Sequence, residues 1–309
     1  MDILSLLLII TGLGLFETIS SIDNAIINAE VLSNMQEKYR RLFLLWGLLF
    51  AVFVIRGVLP WLIVYGTIPA LGPVGAFTAT FSSDPEVLQA IESSAPLLLI
   101  GGGTFLIFLF FHWLFIEQKH YGLRGERYFH SKGVWFYAVV SVLLSIIVWS
   151  ALQQNAMLAF GAVVGSTAFF IVHGFKQNAE FQEQKLMSKD LSDVSKILYL
   201  EVIDATFSID GVLGAFAFTL AIPLIILGNG LGAIVVRELT LGNIDRIKRY
   251  IFLKNGAMYS TFFLGAIMLL DSFGFHIPPW LSPIITFSVV GYFFYKSLRF
   301  AAYLDLKEI

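Results

Sequence analysis

Nine stretches of this 309-residue chain stay apolar for about twenty residues or more, and they leave the fold little freedom. A run of that length is what an α-helix needs to cross about 30 Å of hydrocarbon, where a helix or a closed barrel must satisfy its own backbone hydrogen bonds. The runs lie near residues 3–29, 42–66, 96–117, 134–152, 154–175, 196–220, 222–243, 250–270 and 280–303. With 57% hydrophobic and only 14% charged residues, no water-facing surface can be built around all of them. The expectation is an all-α fold, a polytopic membrane helix bundle of about nine transmembrane helices. The first run continues into charged residues and shows no small-residue cleavage site, so it reads as a membrane helix and not as a removed signal.

Positive charge gives an independent reading of the same topology. The connections after the odd-numbered runs carry Lys38, Arg40 and Arg41, then Lys119, Arg124, Arg127 and Lys132, then Lys176, Lys185, Lys189 and Lys196, then Arg246, Lys248 and Arg249, and the tail adds Lys296, Arg299 and Lys307. Of the 20 Lys and Arg residues only Arg56, Arg237 and Lys254 remain, all inside expected helices. By the positive-inside tendency the protein is expected in a cytoplasmic (inner) membrane with its N-terminus outside and its C-terminus in the cytoplasm. The connection 67–96 is then extracytoplasmic, with a short surface helix opening at Asp84-Pro85-Glu86, an N-cap followed by proline. The polar, mixed-charge segment 176–195 reads as a linker.

Inside these runs one motif occurs twice. ETISSIDNA (residues 17–25) and DATFSIDGV (residues 204–212) superpose at an offset of 187 residues, matching Glu17 to Asp204, Ser21 to Ser208 and Asp23 to Asp210. Carboxylates cost on the order of 2.5–3.5 kcal/mol each at a membrane helix centre even on lenient scales, so a repeated pair marks a functional site. Arg56 in VIRGVLP and Arg237 in VVRELTL extend the repeat. An odd number of spans separates the copies, so they enter the membrane from opposite sides, as in inverted-repeat transporters. The chain divides accordingly into a first repeat (1–118), two connecting helices and the linker (119–195), and a second, inverted repeat with a final helix (196–309).

In an unbroken helix Glu17 and Asp23 lie about 120° apart, too far round to face one ion. Ser20-Ser21 and Asp23-Asn24, and residues 208–211 in the second copy, suit a local break. An unwound turn there would aim acids and freed carbonyls at a common point, and Gly211, standing where Asn24 stands in the first copy, has the φ freedom for it. The donors are all oxygen: Glu17, Asp23, Asp204 and Asp210, with Asn24, Ser20, Ser21 and Ser208 nearby. The absence of cysteine removes thiolate ligands and disulfides, so the ion expected is a hard or borderline divalent cation such as manganese, magnesium or calcium. The five histidines, His112, His120, His130, His173 and His276, read as non-ligands at helix ends and in connections. Glu201, one turn before Asp204, either joins the site, accepts a proton or is simply solvated. Arg56 needs a carboxylate partner, either as a fixed structural ion pair or as a gate that neutralises the empty site, and Arg237 and Lys254 can snorkel. The many glycines read as places where helices pack closely.

At these residues the sequence resembles the TerC-type integral membrane proteins, a family named for tellurite resistance, on ETISSIDNA and on EVIDATFSIDGVLGAFA. The second segment looks like a bacterial branch of that family usually described only as uncharacterised membrane protein. The resemblance implies divalent-metal handling, with manganese efflux foremost, and makes Glu17, Asp23, Asn24, Asp204 and Asp210 the metal-binding positions. Gly211 is a departure, leaving the second copy poorer in side-chain ligands. No GxxxxGK[ST] segment is present, so coupling to an ion gradient is expected in place of ATP. The leading expectation is a secondary transporter exporting manganese in exchange for protons, not an enzyme and without an organic cofactor. Its partners are the cation, protons and the lipid bilayer, with no nucleic acid and with a homo-oligomer allowed. Two alternatives stand beside it: an intramembrane aspartyl protease, which would need two aspartates sharing a proton but lacks a GxGD segment, and a non-transporting scaffold or assembly factor.

Overall fold

The structure is a computed structural model and describes residues 3–305 apart from 34, 48–49, 51–56, 79–84, 187–191 and 243–247. The first apolar run forms two helices, α1 (Ile3–Ser20) and α2 (Ile22–Ser33), divided at Ser21. A short α3 (Glu37–Leu42) leads into a π-helical turn over Phe43–Gly47. Next comes α4 (Leu59–Thr67), whose axis turns by 103° before α5 (Gly72–Thr78). Gly72 has φ +64°, a left-handed conformation that glycine adopts without steric cost, and Trp61 Nε1 donates to Pro73 O at 2.7 Å across the bend. The remaining elements are α6 (Pro85–Phe115), α7 (Arg124–His130), α8 (Trp135–Leu152), α9 (Ala156–Leu186), α10 (Asp193–Phe207), α11 (Ile209–Ala215), α12 (Ile222–Gly242), α13 (Leu253–Ser272) and α14 (Leu281–Asp305).

Among the described residues seven helices are long and apolar enough to cross a bilayer, or eight if the bent α4–α5 pair is one span, so this is an all-α, multi-pass membrane protein. The difference from nine runs has two sources. The run 196–220 is divided at Ser208 into α10 and α11, and residues 48–49 and 51–56 of the run 42–66 fall outside the described residues. Two further expectations change. A helix does open at Pro85, but it continues through Pro96 to Phe115 as α6 and is not a short surface helix. The segment read as a linker from residue 176 begins as the last turns of α9, which is helical to Leu186.

The bundle is built round α6, whose Ile100, Phe105, Leu106, Phe108 and Trp113 are at most 1% exposed, so lipid meets the other helices. Glycine lets neighbours come that close. A β-carbon on Gly103 would lie 2.9 Å from Gly265 O of α13, and one on Gly165 of α9 would meet the Gly101 carbonyl of α6. Where lipid is as apolar as leucine, such close packing drives association.

The basic connection after α6 is tied down as well as charged. Lys119 donates to the carbonyls of Trp113 and Leu114, satisfying the end of α6, and lies 4.4 Å above the Trp113 ring. Glu126 Oε2 accepts from Gly122 N (2.7 Å) and from Asn255 Nδ2 of α13 (2.9 Å), and Lys296 of α14 donates to Gly122 O. This end, carrying Lys119, Lys254 and Lys296, is called the basic end below.

Gly165→Val should lower the thermal midpoint in detergent, corresponding to about 1–3 kcal/mol of overpacking. Gly291→Ala, on α14 where a β-carbon meets nothing within 4 Å, should leave it level or slightly raised. Equal behaviour of the two variants would remove the close α6–α9 contact as a source of stability.

Candidate cation site where the two motif copies meet

Each motif copy lies on a helix interrupted for one residue, at Ser21 and at its counterpart Ser208. The interruption is slighter than an unwound turn. Ser21 N still donates to Glu17 O (3.1 Å) and Ser208 N to Asp204 O (3.0 Å), while Ser21 O and Ser208 O accept from Ala25 N and Val212 N. The carbonyls are therefore kept within the helices and are not freed toward an ion. What the breaks supply is side-chain direction: Ser21 Oγ donates to Glu17 Oε1 at 2.7 Å, and Ser208 Oγ to Asp204 O at 2.7 Å, the back-bonding by which serine bends a helix.

The two copies touch reciprocally. Glu17, first acid of the first copy, lies against Gly211, eighth position of the second: a β-carbon on Gly211 would sit 2.9 Å from Glu17 Oε2. Asp204, first acid of the second copy, accepts at Oδ1 from Asn24 Nδ2, the eighth position of the first. Gly211 is helical and does not have positive φ, so it serves by leaving room for a carboxylate and not by its backbone freedom. Gly232 of α12 does the same on the other side, where a β-carbon would lie 2.6 Å from Glu17 Cβ.

Glu17 is 1% exposed and Asn24 5%. Because a carboxylate only accepts, Asn24 must turn its amide N–H group toward Asp204, and its Oδ1 is then buried with no hydrogen-bond partner among the described residues. Asn28, one turn further along α2, also has a buried Oδ1 with no such partner. Orphaned acceptors are costly, on the order of 1–3 kcal/mol each, and an oxygen-seeking cation or water would relieve them. Glu201 is half-buried on α10 beneath the π-helical turn, close enough that a β-carbon on Gly47 would collide with its Oε1.

Asp210 behaves differently. Both its oxygens accept from Lys176 Nζ of α9, at 2.9 and 3.0 Å, inside a cavity of about 530 Å³ that opens toward the basic end. His112, His173, Glu117 and Lys254 line the same cavity, with the two imidazole centroids 3.9 Å apart and Glu117 paired to Lys254 at 2.9 Å. Lys254 therefore pairs within the cavity mouth and does not snorkel away. Arg237, on α12, has its Nε buried with no hydrogen-bond partner among the described residues. Arg56 and the side chain of Asp23 lie outside the described residues. Among those described, no three His, Asp or Glu side chains come together closely enough to hold a metal ion. The expected carboxylates are thus divided: Glu17 and Asp204 meet the opposite motif copy, while Asp210 is engaged by a lysine.

Sequence reasoning missed Lys176, Asn28 and the His112–His173 pair. Lys176 was absorbed into the count of basic connections, although its place at the end of an apolar run is a signal for a side chain reaching back into the bundle. The i, i+4 spacing of Asn24 and Asn28 puts both amides on one helix face.

Glu117 lies just beyond α6. Burial pushes its carboxyl upward, but the facing His112 imidazole and the Lys254 ammonium outweigh that and hold it well below the ordinary value of 4.5. A depressed carboxylate adds stability above its unfolded value and loses it as pH falls toward the folded one. Glu117→Gln should therefore flatten the fall of the thermal midpoint below about pH 5. An acid limb as steep as the parent's would show that the pair contributes nothing.

A family model described as a protein of unknown function, DUF475, matches residues 22–302, beginning within the first motif copy just after Ser21. No curated protein and no solved structure matches the chain.

Proposed function

The chain belongs to the DUF475 family, and we propose that it is a secondary transporter moving a divalent cation through the membrane at the crossing of its two motif copies, in exchange for protons. The observation that carries this reading is the reciprocal contact: Glu17 against Gly211 and Asp204 against Asn24, with Asn24 Oδ1 left unpaired. Reciprocal contacts of this kind are what a two-fold relation between two copies generates, and inverted repeats use it to place a site at mid-membrane.

In the proposed cycle Glu17, Asp204 and the Asn24 carbonyl oxygen supply hard donors to the ion, with Asn28 one turn away. Ser21 orients Glu17. Protons replace the cation on the carboxylates when it leaves, since two ionised acids in an apolar bundle repel and are poorly solvated. Lys176 holds the charge of Asp210 in the arrangement seen here, one of the two roles the sequence left open for Arg56. Manganese is the ion proposed first, on the oxygen donors and on the resemblance to TerC-type proteins; magnesium and calcium share the donor preference. The basic end is placed in the cytoplasm on the distribution of Lys and Arg, and export is proposed on the efflux that the resemblance to TerC-type proteins implies.

Purified protein in liposomes holding a manganese-sensitive dye tests the reading. Glu17→Gln and Asp204→Asn should each lower the initial flux by about tenfold or more, and an opposing proton gradient should drive it. Undiminished flux in both variants, or no flux in the parent protein, would sink the proposal. Gly211→Ala should raise KM several-fold by pressing on the Glu17 carboxylate, whereas Gly291→Ala should not. Equal KM values would show that Glu17 does not meet the ion.

A further inference from the structure

A second cavity of about 300 Å³ lies at the end of the bundle away from the basic residues, lined by Ile9, Leu99, Phe216, Thr219 and Asp271 among others. The two cavities share their walls. The basic-end cavity takes Phe16 and Ser20 from α1, Leu109 and His112 from α6, Asp210 from α11 and Thr261 from α13. The opposite cavity takes Ile9 from α1, Leu99 from α6, the chain just after α11, and Ile267 and Asp271 from α13. Both therefore lie along one axis between the same four elements. From Ile9 to Phe16 is seven residues of helix, about 10 Å, and from Thr261 to Ile267 is six, about 9 Å.

Between them the packing is dry. Leu13, Val212 and Leu264 are 0% exposed and Phe16 is 1%. Phe16 and Phe218 bring their ring centroids to 6.0 Å, and a β-carbon on Gly214 would lie 2.5 Å from Phe16. Both cavities are polar in part. Toward the basic end are two ion pairs, Lys176–Asp210 and Lys254–Glu117; at the other end Asp271 and Thr219 accept from backbone N–H groups. The linings also show that the motif helices run in opposite directions. α1 runs from the opposite cavity at Ile9 to the basic-end cavity at Ser20, and α11 runs from Asp210 at the basic end toward the opposite cavity.

We infer that the two cavities are the opposing vestibules of one route for water and hydrated cations, closed in this arrangement by the apolar layer around Phe16, Leu13, Val212 and Leu264. This rests on the transporter reading above and adds to it the path and the barrier. The layer spans about two turns of helix and is made largely by α1 and α11, so a shift of those two elements against α6 and α13 would move the barrier past the motif residues. The wider, more charged vestibule at the basic end is open to the motif at Ser20 and Asp210, and the opposite one stops short of it.

The chain has no cysteine, so single cysteines report accessibility without a background. The variants Thr261→Cys, Thr219→Cys and Leu264→Cys would be treated in oriented membranes with a membrane-impermeant, positively charged methanethiosulfonate from each face in turn. Gln177→Cys, in the basic-end cavity, stands in if Thr261→Cys does not fold. Thr261→Cys should react from the basic-end face only, Thr219→Cys from the other face only, and Leu264→Cys about a hundredfold more slowly from either. Reaction of Thr261→Cys and Thr219→Cys from the same face, an inert Thr219→Cys, or a freely reacting Leu264→Cys would overturn the inference. No metal is needed for the readout: the expected pattern without manganese flux would keep the route and remove the transporter reading, whereas flux with a wrong pattern would remove only the route.

Discussion

A carboxylate that is 1% exposed inside an apolar bundle sets conditions on everything packed around it. Glu17 meets them in three ways. Ser21 supplies a hydroxyl from the next turn, Gly211 withholds a side chain where one would strike the carboxylate, and Gly232 withholds one on the far side. Two of those three residues belong to helices other than α1, so the position of the acid is a property of how the helices cross. Asp204 answers the same conditions through Asn24, with the first and eighth motif positions exchanging places between the copies.

Two ion pairs among the described residues follow one rule: the engaging group comes from a neighbouring element. Lys176 of α9 reaches Asp210 of α11, and Lys254 of α13 reaches Glu117 beyond α6. Such pairs hold their partners in register only while the helices keep their present arrangement, since breaking one leaves an uncompensated charge in a poorly solvated place. Other buried polar atoms have no hydrogen-bond partner among the described residues, and two of them, Asn24 Oδ1 and Asn28 Oδ1, lie on α2 with the first motif copy. The proposed transport site draws on that contrast, between polar groups that are engaged and a few that are left for something else to bind, whereas the proposed route draws on the apolar layer between the two vestibules.

Much of this was legible beforehand for identifiable reasons. Hydrophobic run length reported seven of the nine expected spans among the described residues, because crossing a bilayer fixes length before any tertiary contact is made. The helix breaks fall within the stretches the sequence marked, residues 20–24 and 208–211, and the structure narrows them to Ser21 and Ser208, which compete locally with the backbone for hydrogen bonds. Gly101, Gly161, Gly165 and Gly232 reported close packing. The error at the breaks was one of degree: the i to i+4 hydrogen bonds persist through them, so the freed carbonyls did not materialise. The turn of 103° after α4 and the continuation of α6 back to Pro85 were also hidden, since both depend on what those residues pack against.

The sequence by itself determined an all-helical membrane protein whose helices are interrupted within its two acidic motifs, because chain length in hydrocarbon and local hydrogen-bond competition act within a few turns. Only the tertiary structure decided that Glu17 would face Gly211, that Asp204 would face Asn24 and that a lysine from α9 would claim Asp210. Those pairings join residues 34 to 194 positions apart, and no local pattern encodes which faces meet when long apolar helices, all content to be buried, choose their neighbours by the fit of their small residues.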